Sequence, residues 1–154
     1  MDDDPDLRIA VCWQSRCRRV DDGVIERVVR SVLDAEGCTR AELSIAIIDD
    51  AEMAALHAHH LDKSGPTDVL TFDLADAAEI DAGGLDGEVV VSAETAARVS
   101  ASAGHDADAE LLLYIAHGLL HLLGYDDQDP AEADAMRRRQ HALVTALGFA
   151  LDET

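Results

Sequence analysis

Two histidines four positions apart are the residues of this sequence whose types and spacing point most directly to chemistry. His117 and His121 stand in the segment HGLLHLLGYDD, which covers residues 117–127. On an α-helix, residues with this spacing lie on one face one turn apart, so both imidazoles can reach a single ion. Because histidine nitrogen is a preferred zinc ligand, the pair predicts a metal chelate on a helix.

A glycine turn and a carboxylate follow the pair. We expect Gly124 to take the left-handed conformation that ends a helix, which would swing Asp127 back toward the two rings. Three protein ligands with a free fourth position describe a catalytic zinc site better than a structural one. The alternative for Asp127 is a solvated loop carboxylate, with Asp126 or Asp129 as the ligand instead. The expected cofactor is one zinc ion per chain.

The residues around the histidines argue against a simple surface pair, which is the alternative explanation of this spacing. They make the helix apolar on nearly every side, a pattern that predicts burial. Buried imidazoles need polar partners, and a shared metal supplies one to both rings. The apolar residues concerned are Leu111, Leu112, Ile115, Leu119, Leu122 and Leu123.

Gly118 distinguishes this segment from the zinc-protease motif HExxH, in which the second residue is the glutamate that activates water. A metalloprotease is therefore not expected. The segment resembles HGxLHLxGYDH, the signature of the YbeY family, which are single-domain, metal-dependent endoribonucleases implicated in ribosomal RNA maturation and ribosome quality control. The family has a third histidine where this chain has Asp127, and aspartate is also an acceptable zinc ligand. The matching residues are His117, Gly118, Leu120, His121, Leu122, Gly124, Tyr125 and Asp126.

Two further segments extend the resemblance. Residues 66–72, PTDVLTF, are similar to the family's PTDVLSF, in which a loop enters a strand beside the active cleft. The resemblance gives Thr67 and Asp68 a substrate-binding role, and capping of the turn is the alternative. Residues 85–92, LDGEVVVS, resemble the family's LGDIVIS strand, with Glu88 in place of an aspartate.

Upstream of Pro66 the chain departs from the family's YRxKDxPTD pattern. Leu61 stands where the family has an arginine, a residue suited to binding a phosphate through two hydrogen bonds. The candidate substitutes are Lys63, which matches the family's lysine, or the histidines at positions 57, 59 and 60. The alternatives for these histidines are a polar helix end facing water and a second metal site. The alternative for the whole chain is a loss of nuclease activity.

The mechanism that the resemblance implies is a zinc-dependent cleavage of RNA. Zinc held by His117, His121 and Asp127 would lower the pKa of a bound water or polarise a phosphoryl oxygen. Asp126 is the candidate proton acceptor because it adjoins the third ligand. The expected catalytic residues are thus His117, His121 and Asp126. The expected partners are precursor ribosomal RNA and the ribosome or its small subunit, and DNA is not an expected partner.

Composition agrees with one small enzyme domain spanning residues 1–154, since 48% of the residues are hydrophobic and can form a core. The apolar runs are shorter than the roughly 20 residues of a membrane span, and the chain starts with acidic residues rather than a signal peptide's basic end. We therefore expect a cytoplasmic protein without a membrane partner. Three cysteines without CxxC spacing argue against a disulfide framework or a thiolate zinc site.

Charge is the feature least typical of an RNA-binding protein. Twelve basic and 32 acidic residues give a formal net charge of −20, whereas nucleic-acid binders usually present a basic surface. Arginines at 16, 18 and 19 and at 137–139 form two basic groups that could provide a local rim. Solubility and helix-dipole pairing are the alternative explanation for the second group.

Two other functional classes remain open from the sequence. One is a zinc-dependent hydrolase of a small neutral or cationic substrate, which the acidic composition and Leu61 favour. The other is a non-catalytic ribosome-assembly protein with a structural metal. Activity on small esters and amides distinguishes the first, and ribosome binding without cleavage distinguishes the second.

The elements that must position these residues can be read from periodicity. The order is strand, helix, strand, helix, strand, strand, helix, metal helix and final helix, which predicts an α+β fold with a small mixed β-sheet covered by helices. The resemblance adds a zincin-like metal helix. Expected bounds are strands at 8–13, 42–48, 68–74 and 87–92, helices at 23–35, 50–59 and 93–102, a linker at 104–108 before the metal helix, a mobile acidic excursion at 75–86 and a final helix starting at Pro130.

Overall fold

A computed structural model describes residues 7–17, 20–61, 69–75, 84–103, 106–125 and 129–147, and it describes 57–61 and 103 by their backbone alone. Within these residues it contains four strands and five helices in the expected order. They are β1 Leu7–Trp13, α1 Asp22–Ala35, β2 Ala41–Ile48, α2 Asp50–Leu61, β3 Val69–Asp73, β4 Leu85–Ser92, α3 Ala93–Ala103, α4 Ala107–Leu122 and α5 Pro130–Ala146.

The sheet is mixed, as the sequence predicted. Its strand order is β1-β2-β4-β3, in which β2 pairs in parallel with both β1 and β4, and β3 pairs antiparallel with β4. β1 is an edge strand with the half-buried, alternating pattern expected of one. The α+β fold with a helix-covered mixed sheet is confirmed.

β4 begins at Leu85, where the motif resemblance starts its strand and two residues before the start that periodicity indicated. Leu85 is paired with Ala41 and is 7% exposed, so the strand reaches two residues into the stretch predicted to be a mobile excursion. Asp86 and Gly87 are poor strand formers, and pairing with β2 overrides that local preference. Positions 76–83 of the excursion lie outside the described residues.

Helices cover both faces of the sheet because β2 and β4 are apolar on both sides. Ile45, Ile47, Val89 and Val91 point into the larger core, which they share with α1, α4 and α5. On the opposite face, Val90 and neighbouring residues form a smaller core under α2. In the described part of the chain, no helix has both the length and the apolar composition needed to cross a membrane.

The carboxylate of Asp50, the first residue of α2, fastens this helix to β4 and α3. The Asp49 carbonyl accepts the first helical bond of α2, from the Met53 N–H. The carboxylate of Asp50 accepts hydrogen bonds from Ser92, Thr95 and Arg98. Burial alone would raise the pKa of Asp50, but these donors outweigh it and lower the pKa to about 2.

α4 is the central helix of the larger core and lies directly against β3 and β4. The contact is closest at Gly118, where an added Cβ would lie 2.6 Å from Val89 Cγ1 and 3.1 Å from Val69 Cγ1. A glutamate at this position, as in HExxH, would meet the sheet. The glycine therefore permits the close helix-to-sheet packing that fixes the position of the neighbouring histidine.

Replacing Gly118 with alanine is expected to lower the free energy of unfolding by about 1–3 kcal/mol, because the added methyl overpacks the contact with Val89. In an uncrowded helix interior the same change would stabilise the protein by about 1 kcal/mol. The sign of the change, measured by urea unfolding, therefore tests the packing. A G118A protein more stable than the wild type would contradict it.

Candidate metal centre

The predicted site residues divide into two groups. The histidines at 117 and 121 lie in α4, inside the described part of the chain. The other predicted site residues lie outside the described residues, as do the side chains of the histidines at 57, 59 and 60. The predicted residues outside are Lys63, Thr67, Asp68, Asp126 and Asp127.

The two histidines converge on one point. Nε2 of His117 and Nε2 of His121 are 3.1 Å apart, and the rings are nearly perpendicular, at 80°. Two nitrogens bound to one tetrahedral zinc at 2.0–2.1 Å lie about 3.3 Å apart. The observed separation is close to that value, so the pair has the geometry of a chelate through its Nε2 atoms.

The other nitrogen of each ring is held by an oxygen that can only accept a hydrogen bond. Nδ1 of His117 lies 2.7 Å from Oε1 of Gln140 on α5, and Nδ1 of His121 lies 3.2 Å from the carbonyl oxygen of Tyr125. Each Nδ1 must therefore donate a proton. In the neutral rings, both Nε2 atoms then carry lone pairs directed toward the same region.

This arrangement fits a metal ion. Two Nε2 atoms that lie 3.1 Å apart and both offer a lone pair can bind one cation between them. Metal-binding histidines commonly donate the other ring N–H to a carbonyl or carboxylate in the same way. Among the described residues, His, Cys, Asp and Glu form no cluster of three or more that could hold a metal, and the predicted third ligand, Asp127, is not one of them.

The turn after α4 brings the Tyr125 carbonyl back to His121. Gly124 has φ +106°, the positive value expected for a glycine that ends a helix. The Gly124 N–H donates to the His121 carbonyl at 3.0 Å and the Tyr125 N–H donates to the Leu120 carbonyl at 2.9 Å. These two bonds form a Schellman motif, which fixes the direction of the chain as it leaves the helix. The predicted role of Gly124 as a helix terminator is confirmed.

A carboxylate at the end of α1 links this turn to α5. The Tyr125 hydroxyl donates to Oε1 of Glu36 at 2.7 Å, and Nε of Arg139 donates to Oε2 at 2.7 Å. The hydrogen bond to Glu36, together with burial, raises the pKa of Tyr125. The ion pair likewise raises the pKa of Arg139. Glu36 therefore connects three segments that are distant in sequence.

The basic group at 137–139 is tied to carboxylates. Arg137 and Arg138 both pair with Asp134 of the same helix, and Arg139 pairs with Glu36. The first two guanidiniums share one carboxylate, so they retain one net positive charge. In this predicted basic rim, Arg139 is used in the ion pair that links α5 to the end of α1. Arg137 and Arg138 lie on the exposed surface of α5.

Asp129, the alternative ligand weighed in the sequence, is the N-cap of α5. Its Oδ1 accepts the Glu132 N–H at 2.8 Å, and Pro130 occupies the first turn. Hydrogen bonds from Glu132 lower the pKa of Asp129. The predicted start of the last helix at Pro130 is confirmed, and the carboxylate before it is engaged in capping.

Sequence reasoning missed Gln140 and Glu36. Gln140 carries a weak signal, because it lies on the same side of α5 as three buried apolar residues, where a polar residue needs a partner. Glu36 carries none, since a carboxylate near a helix end is common on any surface. The buried residues of α5 are Met136, Leu143 and Val144.

Comparison with known proteins extends the motif resemblance to most of the chain. The family model described as Endoribonuclease YbeY matches residues 14–148. Endoribonuclease YbeY of Clavibacter michiganensis subsp. michiganensis is 39% identical over 143 residues, which cover 87% of this chain and 90% of that protein. Endoribonuclease YbeY of Salinibacter ruber is 36% identical over 134 residues, which cover 84% and 85%.

A solved structure supports the fold. The solution structure of TM1509 from Thermotoga maritima aligns with a TM-score of 0.60 and 20% identity, covering 90% of each chain. At this identity the likeness concerns the fold alone. It supports the mixed α+β architecture in which α4 carries the histidine pair.

Replacing Tyr125 with phenylalanine is expected to lower the free energy of unfolding by about 1.5–3 kcal/mol, the usual contribution of a hydrogen bond to a charged group. The change leaves the Tyr125 carbonyl in place and removes the contacts of the hydroxyl with Glu36 and Arg139. Urea unfolding of Y125F beside the wild type measures the effect. Equal stability of the two proteins would mean that Glu36 does not anchor this turn.

Proposed function

Because this chain belongs to the YbeY family and is therefore an endoribonuclease, we propose that it cleaves single-stranded RNA during ribosomal RNA maturation and ribosome quality control. The proposed partners are precursor ribosomal RNA and the ribosome or its small subunit. We further propose a cytoplasmic location and a single catalytic domain over residues 1–154.

The proposed cofactor is one zinc ion bound by His117, His121 and Asp127, with the histidines on a zincin-like metal helix. The observation that supports it is the 3.1 Å approach of the two Nε2 atoms, with both Nδ1 atoms donating to oxygens. That combination directs two neutral nitrogen ligands to one point. Asp127 is included for its position in the motif and its ligand chemistry.

Bound zinc would supply Lewis-acid chemistry, either by lowering the pKa of a water or by polarising a phosphoryl oxygen. A proton acceptor would have to come from the residues of the chain. Position 118 offers no general base, because it is a glycine packed against β4. Asp126 is the proposed proton acceptor, and its place beside the third ligand in the sequence is the reason for that role.

Binding of the RNA strand is proposed to rest on polar residues of the cleft segments and on local basic groups. Lys63, Thr67 and Asp68 belong to the segments that resemble the family's active-cleft motifs. Arg137 and Arg138 add one net positive charge on α5, the helix whose Gln140 contacts His117. Contacts of this kind bind phosphate without reading sequence.

Elemental analysis of the purified protein is the first test. We expect about one zinc per wild-type chain and a loss of that zinc in H121A, because one imidazole fewer breaks the chelate. H141A, a histidine-to-alanine change on α5, is the matched control and should keep its zinc. Circular dichroism establishes that each variant is folded.

The same proteins are then assayed on single-stranded ribosomal RNA fragments. Cleavage by the wild type and H141A, with none by H117A or H121A, is the expected pattern. Full activity in a metal-free H117A protein would overturn the mechanism. A zinc-bound wild type that hydrolyses small esters or amides and leaves RNA intact would favour the small-substrate hydrolase. Ribosome binding without cleavage would favour the assembly protein.

Replacing Asp127 with histidine restores the residue that the family signature has at this position. We expect tighter zinc binding in D127H, because a third imidazole is a softer ligand than a carboxylate and suits zinc. Competition with a chromogenic chelator measures the affinity. An affinity equal to or weaker than that of the wild type would show that Asp127 is not a ligand.

A further inference from the structure

We propose that Gln140 is a positioning residue that acts across the helix interface to set the tautomer and orientation of His117. The proposal concerns a glutamine on the last helix, outside every motif that the sequence singled out. It deepens the proposed function, because its purpose would be to present His117 Nε2 to the zinc. Its test also has a readout that needs neither zinc nor activity.

The contact with Gln140 determines which nitrogen of the His117 ring carries the proton. Oε1 of Gln140 lies 2.7 Å from Nδ1 of His117, and an amide oxygen accepts but does not donate. The contact therefore stabilises the tautomer with the proton on Nδ1. That tautomer leaves the lone pair on Nε2, the atom that faces His121 at 3.1 Å.

The Gln140 amide lies beside the apolar core of the protein. Gln140 lies on the face of α5 that also carries the buried Met136, Leu143 and Val144. Gln140 and His117 are both half-buried, so their hydrogen bond is partly shielded from water, and losing it leaves an unpaired donor at some cost. The tautomer of His117 is thus coupled to the packing of α5 on the core.

α5 is anchored at Arg139, the residue before Gln140. Arg139 pairs with Glu36, and its Nη2 also lies 3.4 Å from the Ala35 carbonyl at the end of α1. These contacts fix the rotation of α5 about its axis beside Gln140. A side chain placed in this way holds the His117 ring more firmly than a solvent molecule would.

The two histidines are secured by different means, which supplies an internal control. His121 donates to a main-chain carbonyl, that of Tyr125, which a change at position 140 does not remove. His117 depends on a side chain. A substitution of Gln140 should therefore change His117 and spare His121.

The experiment uses the whole 154-residue chain, freed of metal and labelled with 15N, at about pH 8. Long-range 1H–15N spectra assign the protonated nitrogen of each ring. We expect protonated Nδ1 in both histidines of the wild type and of Q140E, since a carboxylate also accepts. In Q140L and Q140M we expect His117 to shift toward the Nε2-protonated form, while His121 stays unchanged.

Zinc affinity is the second readout. Loss of such an outer hydrogen bond typically weakens metal binding about 10- to 100-fold, and we expect this in Q140L and Q140M but not in Q140E. Q14L, a change of the same type at the exposed Gln14, is the matched control and should bind zinc like the wild type.

The outcomes separate this proposal from the proposed function. Protonated Nε2 on His117 in the wild type would overturn the positioning role without any variant. Unchanged spectra and affinity in Q140L or Q140M would overturn it as well. If the His117 tautomer responds to Gln140 but no variant and no wild-type protein binds zinc, the positioning role stands and the proposed metal function fails.

Discussion

The 3.1 Å approach of the Nε2 atoms of His117 and His121 is the interaction that brings together α4, the turn after it and α5. Each imidazole has two nitrogens, so directing Nε2 inward requires that Nδ1 be given an acceptor outside. One acceptor is a carbonyl delivered by the turn after α4, and the other is an amide delivered by α5. The sheet contributes by holding α4 closely at Gly118, where a side chain would push the helix away.

The charge of the molecule shapes how such a site can meet RNA. A formal charge of −20 repels a polyanion at long range, while contacts within a few ångströms are governed by individual side chains. Salt screens both effects over about 8–10 Å at physiological ionic strength. For this protein, moderate salt therefore weakens the overall repulsion as well as the local attraction, so RNA binding need not fall steeply as salt rises.

Local signals in the sequence were sufficient where the structure is locally determined. The spacing of His117 and His121, the glycine at 124 and the alternation in β1 each specify their conformation within a few residues. Periodicity missed the start of β4 at Leu85, which only the motif resemblance indicated, because that start depends on pairing with β2. Gln140 and Glu36 were missed for the same kind of reason, since their partners lie 23 residues or more away and periodicity carries no record of them.

The contacts of Glu36 bear on when, during synthesis of the chain, the two histidines reach their final arrangement. Its carboxylate joins Tyr125, 89 residues later, and Arg139, 103 residues later. Proteins emerge from the ribosome N-terminus first, so α1 and the sheet are synthesised well before α5. A nascent chain that already contains both histidines still lacks the contacts that aim His117. The finished arrangement of the two rings thus requires translation to pass residue 140, which delays the histidine site until nearly the whole described fold is available.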